Sequence, residues 1–168
     1  MVLFPPTISW VNYGWETVYG TETGTKDKVF GHGVRVTSLT RRNNVESVFG
    51  LGARNAQKLK EKQFEGAISM EFNLANPWFF RGVLGAAPTT AGGGPYTHSW
   101  AESDTVVSMT LENNISNEDK SVAALLGCKV TTCVITAAIG ELAKVRLDML
   151  YSNESHDNST AAIVAESF

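Results

Sequence analysis

The stretch from Gly127 to Tyr151, GCKVTTCVITAAIGELAKVRLDMLY, restricts what this chain can fold into more than any other segment does. From Ala143 onward apolar and polar residues alternate without a break. Ala143, Val145, Leu147, Met149 and Tyr151 fall on one side, and Lys144, Arg146 and Asp148 on the other. Successive side chains leave a strand on opposite sides, so this pattern predicts a strand with one buried face. The preceding Val, Thr and Ile residues suit a pleated surface, and Gly140 supplies a backbone that can reverse direction. The two halves predict one β-hairpin. With Ala138 to Glu141 as the connection, Val130, Thr132, Val134 and Thr136 stand opposite Met149, Leu147, Val145 and Ala143, and both strands turn their apolar members to one side. The other face then pairs Thr131 with Asp148, Cys133 with Arg146 and Ile135 with Lys144, a mixture neither fully wet nor fully dry.

The whole sequence fits one domain spanning 1–168. A chain of 168 residues buries roughly two thirds of its unfolded surface around a single core and needs no covalent staple. Charged residues make up 18% and the formal net charge is -3, which offers no overall basic footprint for gripping nucleic acid. The opening MVLFPPTISW has no basic segment and too short an apolar run, so neither a signal peptide nor a membrane anchor is expected, and synthesis in the cytoplasm is. Cys128 and Cys133 lie five apart on one predicted strand. That spacing predicts opposite faces and a separation of about 16 Å, too far for a disulfide, so both are expected to be reduced packing residues. Asn114, Asn153 and Asn158 begin N-x-S/T triplets, which fit surface positions.

Along the chain, residues 1–25 mix Phe4, Trp10, Tyr13, Trp15 and Tyr19 with Gly, Pro and Thr and have no sustained period. They predict an extended arm whose aromatic area must dock on its own core or on a neighbour. Trp10, Tyr13, Trp15 and Tyr19 are its docking candidates. Val29 to Leu39 predicts a short strand, and its GHG lacks the rest of a phosphate-binding fingerprint. Residues 40–63 predict a long polar loop, biased to cations by Arg41, Arg42, Arg54 and Lys58. Such a loop suits contact with an acidic surface. Ala67 to Leu74 alternates again, with Ile68, Met70, Phe72 and Leu74 inward. A short helix follows, in which Asn76 caps the first turn, Pro77 takes the first position and Gly85 ends it; Trp78, Phe79, Val83 and Leu84 close one open side of the sheet. Ala86 to Pro95 is too rich in Gly and Pro for regular structure, Thr97 to Glu102 and Thr105 to Glu112 predict strands, and a short helix is expected near Asp119 to Leu126. Ser152 to Thr160 predicts a polar loop, and the apolar AAIVAESF suggests a further strand belonging to a longer parent.

Chemistry is sparse. His32, His98 and His156 are scattered, none has a metal-ligand spacing, and no nucleophile elbow is present. Glu65, Glu71, Glu102 and Asp104 fall near strands without forming a recognisable catalytic pair. The residues predict no enzyme, no cofactor and no metal.

The order of these pieces resembles the major tail tube proteins of tailed bacteriophages and related archaeal viruses. The resemblance rests on the aromatic and glycine-rich WVNYGWETVYGTETGT followed by KVFG, on FEGAISMEFNL running into a short helix that ends in LG, and on GCKVTTCVI followed by IGELAKVRLDMLY. Gly127, Cys128, Val130, Gly140 and Glu141 carry its Gly-Cys-x-Val opening and Gly-Glu turn. It implies a mainly β fold, an antiparallel β-sandwich or half-barrel with one short α-helix, assembling into a ring-shaped β-barrel. It further implies hexameric rings stacked into a tail tube, other tail proteins as partners, and passage of double-stranded DNA without tight binding. The place of action would be the virion tail. On this reading Lys144, Arg146, Asp148, Ile135 and Cys133 are candidates for a subunit interface or a lumen lining, and Arg41, Arg42, Arg54 and Lys58 for ring stacking. Two other readings suit a β-sandwich of this kind: a virion decoration or adhesion module, and a tail-terminator or neck ring protein.

Overall fold

The computed structural model describes residues 10–48, 58–114 and 122–156. In chain order these form β1 (Trp10–Trp15), β2 (Lys28–Val29), β3 (His32–Val48), β4 (Lys58–Asn73), α1 (Phe80–Leu84), β5 (Thr89–Ala91), β6 (Thr97–Ser99), β7 (Met109–Asn114), β8 (Val122–Thr136), β9 (Lys144–Tyr151) and β10 (Asn153–His156). Hydrogen bonding runs in the order β2-β1-β7-β8-β9-β4-β3, with β10 added on β8, and β5 and β6 pair separately. Among the described residues every pairing is antiparallel. The fold is thus mainly β with one short helix.

The long strand β8 belongs to two half-sheets. Its first part, up to Cys128, lies between β7 and β10; its second part, from Lys129, pairs with β9. Ala123 to Cys128 are consequently buried without alternation, because this part of the strand is covered on both faces. The helix expected near Asp119 to Leu126 is therefore corrected from Val122 onward: an unbroken apolar run fits a buried strand as well as a buried helix, and sheet pairing decides between them.

Tyr13, Phe30, Met70, Phe72, Phe79, Leu111, Leu125, Leu147 and Met149 are among the side chains filling the core between the halves. Ile68, Met70 and Phe72 alternate inward as predicted, and so do Val145, Leu147, Met149 and Tyr151. Gly66 is a special case: it faces Tyr151 across the strands, and its lack of a side chain leaves room for the ring. Gly85 closes the helix with φ of 96°, as expected, but Asn76 does not cap it: the Trp78 N–H donates to Asn76 Oδ1 at 3.2 Å in the turn ahead of α1, whose N-cap is Phe79 with no side-chain cap hydrogen bond. The helix itself starts later than predicted, at Phe80.

Several other expectations change. The arm is in part a strand: β1 hydrogen-bonds between β2 and β7, and Tyr13 is wholly buried with its ring centroid 4.4 Å from that of Phe30. Most of the polar segment predicted as a loop over 40–63 is hydrogen-bonded strand, since β3 runs to Val48 and β4 starts at Lys58; residues 49–57, with Arg54, lie outside the described residues. These residues carry no apolar alternation, so backbone pairing alone reveals the hairpin. Residues within Ala86 to Pro95 and Ser152 to Thr160 likewise supply β5 and β10.

Candidate functional site

Four strands, β8-β9-β4-β3, make a half-sheet with one face on the core and the other uncovered. On the uncovered face Lys144, Arg146 and Asp148 of β9 stand beside Asn73, Glu71 and Ser69 of β4, and beside Thr136, Val134 and Thr132 of β8. Arg35 and Arg42 of β3 complete it opposite Glu71 and Glu65. Cations and carboxylates are interspersed. Arg146 Nε lies 3.3 Å from Asp148 Oδ1, and Lys144 Nζ lies 3.7 Å from Glu141 Oε2. These solvent-exposed pairs add little to stability. The Ser69 hydroxyl, with help from Arg146, holds the Asp148 carboxyl below the ordinary aspartate range.

The hairpin register differs from the prediction at one place. Val130 does face Met149, but a bulge at Thr131 shifts everything beyond it by one residue. Cys133 therefore faces Leu147 and Ile135 faces Val145, on the core side, while Val134 faces Arg146 on the uncovered side. The predicted grouping of Cys133 and Ile135 with Lys144, Arg146 and Asp148 is split between two faces. The extra residue also restores parity between the cysteines: Cys128 is fully buried and Cys133 packs against the same core, not on opposite faces. Both thiols are free, and burial pushes each above the ordinary cysteine range.

Two edges of the half-sheet are unpaired among the described residues: the outer edge of β3, and the side of β8 from Lys129 to Thr136 that faces away from β9. Ile135, 46% exposed, sits on the second. The two hairpins point to opposite ends, because β9 and β4 are antiparallel with Lys144 opposite Asn73 and Tyr151 opposite Gly66. The β8-β9 turn thus lies at one end, with Ile139 fully exposed and Leu142 69% exposed. At the other end the β3-β4 hairpin projects past Tyr151, from Asn43 and Phe64 to Val48 and Lys58. Neither exposed aliphatic of the turn was singled out from the sequence; two large apolar residues flanking a turn glycine were the available signal.

Of the remaining candidates, Tyr13 and Trp15 pack into this chain's own core, Trp10 opens β1, and Tyr19 is 57% exposed beneath Lys129, whose Nζ lies 4.8 Å from its ring centroid. Arg41 is tied down: its Nε donates to Glu154 Oε1 at 2.7 Å, and Tyr151 Oη donates to the same oxygen. Lys58 begins β4. Among the described residues no cluster of three His, Cys, Asp or Glu could hold a metal ion, and no helix is long and apolar enough to cross a membrane.

A buried clamp sets how the half-sheets meet. Glu16 accepts from the Gly127 N–H at 2.7 Å and the Thr110 hydroxyl at 2.9 Å on one carboxylate oxygen, and from the Gly20 N–H at 2.9 Å on the other. Gly127 has φ of +68° at the point where β8 passes from one half-sheet to the other. That backbone geometry favours glycine.

A family model described as phage tail tube protein matches residues 10–168. No curated protein matches the chain significantly. Among solved structures, a chain of the anti-feeding prophage baseplate, 6-fold symmetrised, superposes with a TM-score of 0.51 at 11% identity over 92% of this chain and 93% of its own. A chain from the tail of an empty GTA particle gives 0.48 at 11% identity, covering 87% of this chain and 94% of that one. The SPP1 tail tube gives 0.47 at 8% identity, covering 88% and 76%.

Proposed function

The chain belongs to the phage tail tube protein family, and from that membership we propose that six copies close a ring by pairing the free β3 edge of one with the free β8 edge of the next. As a member of that family it is a structural component of the virion tail and not an enzyme. The observation that carries the ring proposal is the half-sheet with two unpaired edges and one uncovered face. Strand direction alternates across β8-β9-β4-β3, so β3 of a rotated copy runs antiparallel to β8 and the pairing continues without a change of type. Closure removes edges that would otherwise template aggregation. Six copies of four strands at about 4.8 Å spacing, tilted by up to about 40°, give a barrel roughly 37–50 Å across its backbone.

The subunit's own core lies against one face of the half-sheet, so its bulk belongs outside such a barrel and the uncovered face lines the lumen. Lys144, Arg146 and Asp148 are then lumen residues, and Ile135 belongs to the edge contact. The mixture of signs on that face suits a conduit, since a strongly cationic lining would hold each passing phosphate. Rings stack with the β3-β4 hairpin, carrying Arg42, toward the turn bearing Ile139 and Leu142. The six-fold assembly named for a chain of the same fold supports the ring order. Double-stranded DNA passing without tight binding, and other tail proteins at the tube ends, are the partners this reading includes.

Electron microscopy of the concentrated protein tests it. Tubes are expected from the native sequence, and monomers from Ile135→Lys, because a charged edge blocks strand addition. Rings that never stack would favour a tail-terminator role. Monomers from the native sequence at high concentration would overturn the proposal.

A further inference from the structure

Lys129 and Arg81 line one cleft with Trp15, Tyr19 and Ser108, at the place where β7 ends its pairing with β8 and the free edge of β8 begins. Each cation lies over an aromatic ring: Arg81 Cζ is 5.1 Å from the Trp15 ring centroid, and Lys129 Nζ is 4.8 Å from that of Tyr19. Such stacking orients a cation without neutralising it. Among the described residues neither makes an ion pair, and the Arg81 Nε is buried with no hydrogen-bond partner. Glu16 also borders the cleft, but both its oxygens already accept hydrogen bonds from Gly127, Thr110 and Gly20. Glu65 and Asp104 line the adjoining hollow with Lys129 without reaching ion-pair distance. The cleft therefore carries two cations, with hydroxyl groups of Thr105 and Ser108 beside them, against the single carboxylate of Glu16, which reaches ion-pair distance of neither.

We infer that this cleft receives a carboxylate from a second copy of the chain. Lys129 is the first residue of the unpaired segment of β8, so a neighbour that adds its β3 edge there brings its own side chains to the mouth of the cleft. The contact gives the edge pairing a fixed register, which backbone hydrogen bonds between strands do not supply by themselves. This inference rests on the ring reading proposed above.

The test is zero-length carbodiimide coupling of assembled native protein, followed by mass spectrometry. The reagent joins an amine to a carboxylate only when the two are in contact. An intersubunit amide through Lys129 is expected, and the carboxylate it captures identifies the partner residue. Lys129→Gln is expected to raise the critical concentration for assembly about three- to tenfold, the range for a partly desolvated ion pair, and to flatten its dependence on salt. Its melting temperature as a monomer should stay unchanged, because Lys129 is exposed. Arg81→Gln should act in the same direction on assembly. Particles that form normally from Lys129→Gln, with no coupling at Lys129 in the native protein, overturn this inference and leave the ring reading standing. Inorganic phosphate that raises the monomer melting temperature, again without coupling at Lys129, assigns the cleft to a free anion and also overturns it. A native chain that never assembles overturns both.

Discussion

Replacing Glu16 with Ala removes the acceptor that holds three donors at the bend of β8. The Gly127 N–H at 2.7 Å and the Thr110 hydroxyl at 2.9 Å are buried with it, and water cannot readily replace the lost carboxylate oxygen. The Gly20 N–H, also at 2.9 Å, lies nearer the surface and can turn to solvent. Hydrogen bonds to a charged group contribute about 1.5–3 kcal/mol each, and an orphaned buried donor costs a similar amount. Two such losses, with the third discounted, place Glu16→Ala at about 3–6 kcal/mol. For a domain of this length that corresponds to about 6–24 °C in Tm. Glu16→Gln keeps an oxygen for Gly127 and Thr110 but turns its amide toward the Gly20 N–H, donor against donor, and should cost about 1–2 kcal/mol. Urea unfolding of the monomer, followed by tryptophan fluorescence, measures both. An alanine variant within about 0.5 kcal/mol of the native protein, or a glutamine variant less stable than the alanine one, would show that the clamp does not hold the bend.

Other substitutions test neighbouring points by the same unfolding measurement. Gly127→Ala should cost about 1–3 kcal/mol, because the left-handed backbone is strained for alanine and a Cβ would meet the Ser152 hydroxyl; a neutral result would mean the bend relaxes freely. Gly66→Ala drives a methyl into the Tyr151 ring and should cost about 1–3 kcal/mol. Tyr13→Phe, by contrast, should change stability by under about 0.5 kcal/mol in either direction, because the buried hydroxyl has no hydrogen-bond partner among the described residues. Thiol labelling at pH 8 should modify Cys133 slowly and Cys128 only on unfolding, since burial raises both thiols and encloses the second completely; rapid labelling of Cys128 in the native protein would contradict the packing.

Where one face is dry and the other wet, the alternation of residue types is itself the physical cause of the strand. For that reason β9, the inward face of β4 and the existence of the β8-β9 hairpin were all readable from residue order. The helix end at Gly85 was readable too, because it depends on a few adjacent residues, whereas the N-cap is Phe79 and not Asn76. Three features were not. The polar part of the β3-β4 hairpin carries no apolar alternation, and only backbone pairing makes it strand. The first part of β8 is buried on both faces and looks helical or extended with equal ease. The bulge at Thr131 leaves no mark in the residue pattern, so the separation of Ile135 and Cys133 from Lys144, Arg146 and Asp148 could not follow from alternation. By itself the sequence determined a β-rich subunit built on one long hairpin. Only the tertiary structure decided which face of that hairpin stays uncovered and which edges stay free, because both depend on strands remote in the chain, β1, β7 and β3, that either cover β8 and β9 or leave them open.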